Sequence, residues 1–179
     1  MKAILQFLAR IFGVKKSEPI YQPIISIPHP TGVTYREQLP WMKIALAEMG
    51  QKEIIGQKNN LRIVEYHKST SIGSNSDEVP WCSSFVTWCL EQAGYESTNS
   101  AWARSYLNYG LQNRYPEYGD LIIYKRGENS GHVHFFEHEQ GDLYFGVGGN
   151  QDNSVSIKGY SKSNVLGIRK PIKAKKKEV

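Results

Sequence analysis

The sequence predicts an α+β domain in which N-terminal helices pack on one side of a C-terminal antiparallel β-sheet of about five to six strands. In the first half of the chain, apolar residues recur at helical spacing, and two of these patterns have a proline near the front and a glycine at the end. After Pro116 the chain changes to short β-branched and aromatic runs separated by Gly, Asn and Asp. Helices first and strands second in 179 residues indicate one domain of this class.

Four helical segments are expected before the sheet. The first spans residues 40–50, and Asn60 is placed to cap the second. The third, residues 79–94, has the clearest pattern, and the fourth spans residues 101–109. The third helix is predicted to bury one apolar face, formed by Cys82, Phe85, Val86, Cys89, Leu90 and Ala93.

Five short runs rich in β-branched and aromatic residues predict the strands of an antiparallel meander. They are residues 120–126, 132–138, 142–147, 154–160 and 165–171.

The chain divides into three parts by composition. Residues 1–34 are an amphipathic segment followed by a proline-rich linker, residues 35–171 are the folded domain, and residues 172–179 are a basic tail expected to be disordered. The positive charge sits at the two ends, because residues 17–169 contain thirteen basic and sixteen acidic residues. We therefore expect no nucleic-acid partner.

No apolar run approaches the roughly 20 residues that cross a bilayer, so no transmembrane segment is expected. Gln6 and Arg10 interrupt the first apolar stretch, and no small-residue cleavage site follows it. We expect a protein made in the cytoplasm without a cleaved signal peptide.

Cys82 is the predicted nucleophile. It stands at the start of the third helix, where backbone N–H groups and the helix dipole favour a thiolate and are expected to lower the thiol pKa. The alternative is a buried apolar cysteine, which is how Cys89, seven residues further on, is interpreted. The two are too far apart along a helix to form a disulfide.

The run GHVHFFEH supplies the predicted base. Alternation places His132, His134, Phe136 and His138 on one face, and His132 is chosen because it follows Gly131 at the start of the strand. A zinc-dependent hydrolase that uses His132 and His134 is the competing interpretation, although the chain has no HExxH pattern.

A catalytic imidazole needs an acceptor on its second ring nitrogen. Asn150, after the next predicted strand, is the first choice for this residue, and Gln151 is the second. Both also fit ordinary turn chemistry. The backbone N–H of Cys82 is the expected first oxyanion donor, and the second donor is left unassigned.

These residues form a familiar combination. The segments DEVPWCSSFVTWCLEQAG, PEYGDLIIYKRG, GHVHFFEHEQGDLYFGVGGNQ and VLGIRKP resemble the CHAP and NlpC-type cysteine peptidases and amidases that cut bacterial peptidoglycan. Compact phage-endolysin-like members are the closest in pattern. The resemblance covers residues 41–171, and His134 departs from it, since that position is usually small.

The resemblance implies a papain-like fold and a peptidoglycan endopeptidase or N-acetylmuramoyl-L-alanine amidase, with Cys82, His132 and Asn150 as the catalytic set. Trp81, Trp102 and Gln151 are expected substrate contacts, with a core position as the alternative for each tryptophan.

No cofactor or metal is implied. We expect a monomer that acts on the cell wall as an endolysin or as a delivered antibacterial effector, the latter with an immunity protein as partner. An inactive wall-binding module is the non-enzymatic alternative.

Overall fold

The computed structural model describes residues 39–56 and 58–175. Three α-helices come first: α1 (Pro40–Ala47), α2 (Leu61–Lys68) and α3 (Cys82–Gln92). A 3₁₀ helix (Ala103–Asn108) takes the place of the fourth predicted α-helix. Asn60 caps α2 as predicted, since its side chain accepts from the backbone N–H of Arg62 at 2.9 Å.

Helix α3 is buried on all sides over its first nine residues and not only along the predicted face. Its three hydroxyl side chains are satisfied inside the protein. Ser83 donates to the Ser100 carbonyl at 2.7 Å, Ser84 contacts His67 at 3.0 Å, and Thr87 contacts Tyr106 at 2.8 Å. Short hydroxyls with nearby partners let a helix of mixed composition lie in the centre of the domain.

The sheet has six antiparallel strands. Five follow the predicted runs, and a two-residue strand, β1, was not predicted because it is too short to show alternation. The strands are β1 (Leu111–Gln112), β2 (Leu121–Lys125), β3 (Gly131–Gln140), β4 (Leu143–Gly148), β5 (Ser156–Ser161) and β6 (Val165–Lys170). Their order across the sheet is β1, β6, β2, β3, β4, β5. The α+β prediction is confirmed.

Alternation along the strands gives the sheet two different faces. The helix-side face carries the main core, where Phe85 of α3 meets Phe135 of β3 with ring centroids 6.5 Å apart. A smaller cluster around Ile122, Tyr124 and Phe136 lies on the other face.

The C-terminal end of the described chain is fixed rather than loose. The backbone N–H of Glu96 donates to the Ile172 carbonyl at 3.0 Å, and that of Ala174 to the Gly94 carbonyl at 3.2 Å. Residues 172–174, assigned above to the disordered tail, thus pair with the chain just after α3. The predicted N-terminal amphipathic segment and linker lie outside the described residues. Within the described part, no helix is both long and apolar enough to span a membrane.

Candidate active site

Cys82 is the first residue of α3, as predicted, and its side chain reaches the beginning of β3. The backbone N–H of Val133, the residue after His132, faces the sulfur, as do the N–H groups of Ser83 and of Cys82 itself. Only 5% of Cys82 is exposed. Its sulfur is therefore held between the helix start and the strand that carries the proposed base.

The expected low pKa of the Cys82 thiol is wrong for the free protein. Burial raises the pKa of this thiol above its ordinary 9.0, and the Val133 N–H and the charge of Arg126 offset only part of that rise. The prediction of a low thiol pKa took the helix terminus into account but not the burial of Cys82, which has the larger effect. Cys82 and Cys89 are both buried free thiols, and Cys89 lies in the main core as predicted.

His132 is fully buried, and its two ring nitrogens have different surroundings. Its Nε2 donates to Oε1 of Gln151 at 3.0 Å, whereas its Nδ1 makes no hydrogen bond with any described residue. Burial lowers the pKa of His132 well below its ordinary 6.5, and His134 and Arg126 act in the same direction. The ring is therefore neutral at pH 7, with its lone pair on Nδ1.

The amide of Gln151 is held in one orientation. Its Nε2 donates to the carbonyl of Ser156 at 2.5 Å and to that of Gly146 at 3.3 Å. Because both neighbours are acceptors, the amide nitrogen must face them and Oε1 must face His132. Gln151 thus fixes the tautomer of His132.

Gln151, and not Asn150, is the side chain that the structure brings to the imidazole. Asn150 has φ 55°, the left-handed backbone that asparagine tolerates in tight turns, and serves the turn after β4. Gln151 is fully buried, which also differs from its predicted role as a substrate contact.

His134 lies behind His132 on the same face and is fully buried. Its Nε2 contacts the Tyr124 hydroxyl at 3.0 Å, and burial lowers the pKa of His134 to about 3. Two glycines of β4 make room for this ring, since a Cβ at Gly146 or Gly148 would meet His134 atoms at 2.6 Å and 2.8 Å. His134, the residue that departs from the family pattern, is therefore an uncharged side chain next to the candidate site.

His138 does not share the face of His132, contrary to the alternation pattern. A bulge in β3 between Phe136 and His138 shifts the register, and His138 pairs across the sheet with Phe145 and stacks on it at 4.8 Å. Its Nδ1 contacts the Glu137 carboxylate.

Of the residues proposed for zinc, His132 and His134 each bind a neighbour through Nε2, and His138 lies on the opposite face. No group of three or more His, Cys, Asp or Glu side chains within residues 39–56 and 58–175 is placed to hold a metal ion.

The two tryptophans differ. Trp81 is fully buried, donates its Nε1 to Glu53 at 2.7 Å and packs in the main core, so the predicted substrate contact is wrong at this position. Trp102 is 55% exposed and donates its Nε1 to the Asn129 carbonyl at 3.0 Å, in the turn between β2 and β3. It remains a candidate substrate contact.

Comparison with known families places this site in context. Residues 74–150 match the family model of the CHAP domain, a segment that covers less than half of the chain and contains Cys82 and His132. The predicted resemblance to the CHAP and NlpC-type superfamily is confirmed, and CHAP domains are typically hydrolases that act on peptidoglycan. No curated protein matches the chain. The resemblance to phage endolysins stays a prediction.

Proposed function

We propose, from the match of residues 74–150 to the CHAP family model, that the protein hydrolyses an amide bond in the peptide part of bacterial peptidoglycan, with Cys82 as nucleophile and His132 as base. The observation that carries the proposal is that the Cys82 thiol lies against the backbone N–H of Val133, the residue after His132, while Nε2 of His132 is bound to Gln151. A neutral imidazole held in this tautomer presents the lone pair of Nδ1 to a proton donor.

The reaction takes two steps. In the first, the Cys82 thiol gives its proton to Nδ1 of His132 and its sulfur bonds to the substrate carbonyl carbon. The carbon–nitrogen bond then breaks, and the proton on Nδ1 goes to the leaving amine. In the second, water attacks the thioester and gives a proton to Nδ1, the carbon–sulfur bond breaks, and that proton returns to the sulfur.

The start of α3 provides the oxyanion donor. The N–H groups of the first helical turn have no acceptor within the helix, so the N–H of Cys82 is available to the developing negative charge. Gln151 takes the third position in this proposal in place of Asn150, because it holds Nε2 and leaves Nδ1 free.

Two finer assignments belong to the same proposal. The bond cut is that of an endopeptidase or of an N-acetylmuramoyl-L-alanine amidase, and the biological setting is that of an endolysin or a delivered antibacterial effector, the latter with an immunity protein. Both assignments follow from the resemblance of the sequence.

The experiment that tests the function is digestion of purified cell wall. The expected result is loss of turbidity together with soluble fragments whose masses show a hydrolysed amide. New amino groups within peptides that are still joined to the glycan would identify an endopeptidase. Stem peptides released whole from the glycan would identify an amidase. Sedimentation of the protein with intact wall and no released fragments would support the wall-binding alternative instead.

The opposed pKa shifts predict a broad pH profile. Catalysis requires the Cys82–His132 pair to hold one proton, whichever atom carries it. Burial lowers the pKa of His132 and raises that of Cys82, so this form extends from well below pH 6.5 to above pH 9. We expect kcat/KM on a soluble fragment to be flat across this range, with an acid limb below it.

Thiolate absorbance provides the second measurement of the same prediction. The difference in ultraviolet absorbance between wild type and Cys82→Ser is expected to show no thiolate at pH 7. An alkaline limb beginning below pH 9, or thiolate at neutral pH, would contradict the neutral pair.

A further inference from the structure

Arg126 lies beside the candidate active site without a part in the proposed chemistry. It follows β2, at the start of the turn to β3, and its Nη2 donates to the Tyr160 hydroxyl at 3.1 Å. The Tyr160 ring in turn packs on His132 with centroids 4.6 Å apart. One aromatic ring therefore separates an exposed guanidinium from the proposed base.

The turn that carries Arg126 is held in place. The backbone N–H of Arg126 donates to the Ser130 carbonyl at 3.2 Å, and that carbonyl also accepts from Nε of Arg104 at 3.1 Å. The Asn129 carbonyl accepts from Trp102. A braced turn presents its first side chain at a defined position, which lowers the entropic cost of binding a ligand there.

Arg126 keeps its charge available. Lys158, the other cation near Tyr160, lies 5.9 Å from the ring centroid, but its Nζ pairs with Asp152 at 2.5 Å. In the described part of the chain, no ion pair within 4.0 Å involves Arg126. An exposed guanidinium held on one side by an aromatic hydroxyl can still donate from its remaining N–H groups.

We propose that Arg126, held against Tyr160 beside Cys82 and His132, binds a free carboxylate of the peptide substrate next to the bond that is cut. This inference rests on the proposed function, and it makes a stem peptide with a free carboxylate the preferred substrate of the enzyme. A planar guanidinium pairs with a carboxylate through two parallel hydrogen bonds, and peptide stems supply such groups in acidic residues and at the carboxyl terminus.

A second role for the same charge has to be separated from this one. The positive charge also acts on the Cys82 thiol, so Arg126 could assist every substrate by stabilising negative charge at the sulfur. That role would change kcat for acidic and neutral substrates alike. Carboxylate binding changes KM, and only for the acidic substrate.

The test uses two soluble stem peptides that differ in one group, a carboxylate or a carboxamide next to the bond that the wall digest identifies. For wild type we expect kcat/KM to be about 10- to 100-fold higher on the carboxylate, the range for one charge-assisted pair. Arg126→Gln is expected to lose this preference through KM, and Arg126→Lys to keep part of it. Lys125→Gln is the matched control, since it removes the same charge from the neighbouring exposed position.

Two results would overturn the inference alone: equal cleavage of both peptides by wild type, or an equal loss on both peptides in Arg126→Gln. Cleavage of neither peptide by a wild-type preparation that also leaves purified wall intact would overturn the proposed function, and this inference with it.

Discussion

Replacing Cys82 by alanine is expected to abolish wall hydrolysis, with a loss of at least about 10⁴-fold in kcat, because no other group can form the acyl intermediate. The initial rate of turbidity loss measures the effect. The variant should still sediment with purified wall, since the substitution removes one sulfur atom from a residue that is only 5% exposed.

Cys89→Ala is the matched control for this variant. It is the same change in the same helix, at another buried free thiol. Cys89 is expected to contribute packing only, so its variant should keep near wild-type activity and show a modestly lower Tm. Lysis by Cys82→Ala at more than a few per cent of the wild-type rate would contradict the assignment.

Replacing Gln151 by alanine is the second large expected effect. It removes the acceptor that holds Nε2 of His132, so the imidazole can adopt the wrong tautomer and orientation. We expect kcat to fall on the order of 10²-fold or more. The measurement is kcat on a soluble fragment, with Tm recorded to confirm that the variant is folded at the assay temperature.

Asn150→Gly is the control that separates the two neighbouring amides. Glycine accepts the left-handed backbone at this position, so the substitution removes the side chain without strain. Its activity is expected to stay close to that of wild type. If Asn150→Gly lost as much activity as Gln151→Ala, the assignment of the third position to Gln151 would be wrong.

Local patterns predicted most of the fold. Proline, glycine and capping signals together with apolar periodicity located the three α-helices of residues 39–56 and 58–175, and β-branched and aromatic runs located five of the six strands in that part of the chain. The bulge in β3 was missed, although Phe135 and Phe136, both apolar, are followed by the polar Glu137 and His138, so the alternation breaks where the register shifts. The full burial of α3 was also missed, since it depends on partners distant in sequence such as His67 and Tyr106.

The candidate site was predicted only in part, because some of its properties also depend on contacts between residues distant in sequence. The position of Cys82 at a helix start and of His132 directly after Gly131 was enough to select both residues as candidates. The choice between Asn150 and Gln151 depended on the turn, and the preference of asparagine for the left-handed region was the available signal that could have assigned Asn150 to it. The thiol pKa depended on burial, which a helix-terminus argument does not include.

The central claim, catalysis by the Cys82 sulfur, is tested most directly by alkylation of the Cys89→Ala variant, in which Cys82 is the sole cysteine of the chain. The protein is treated with iodoacetamide, and intact mass and wall-lysis rate are measured on the same samples. The account predicts that activity falls in proportion to the labelled fraction and reaches zero when every molecule carries one label. Continued lysis by fully labelled protein would contradict it.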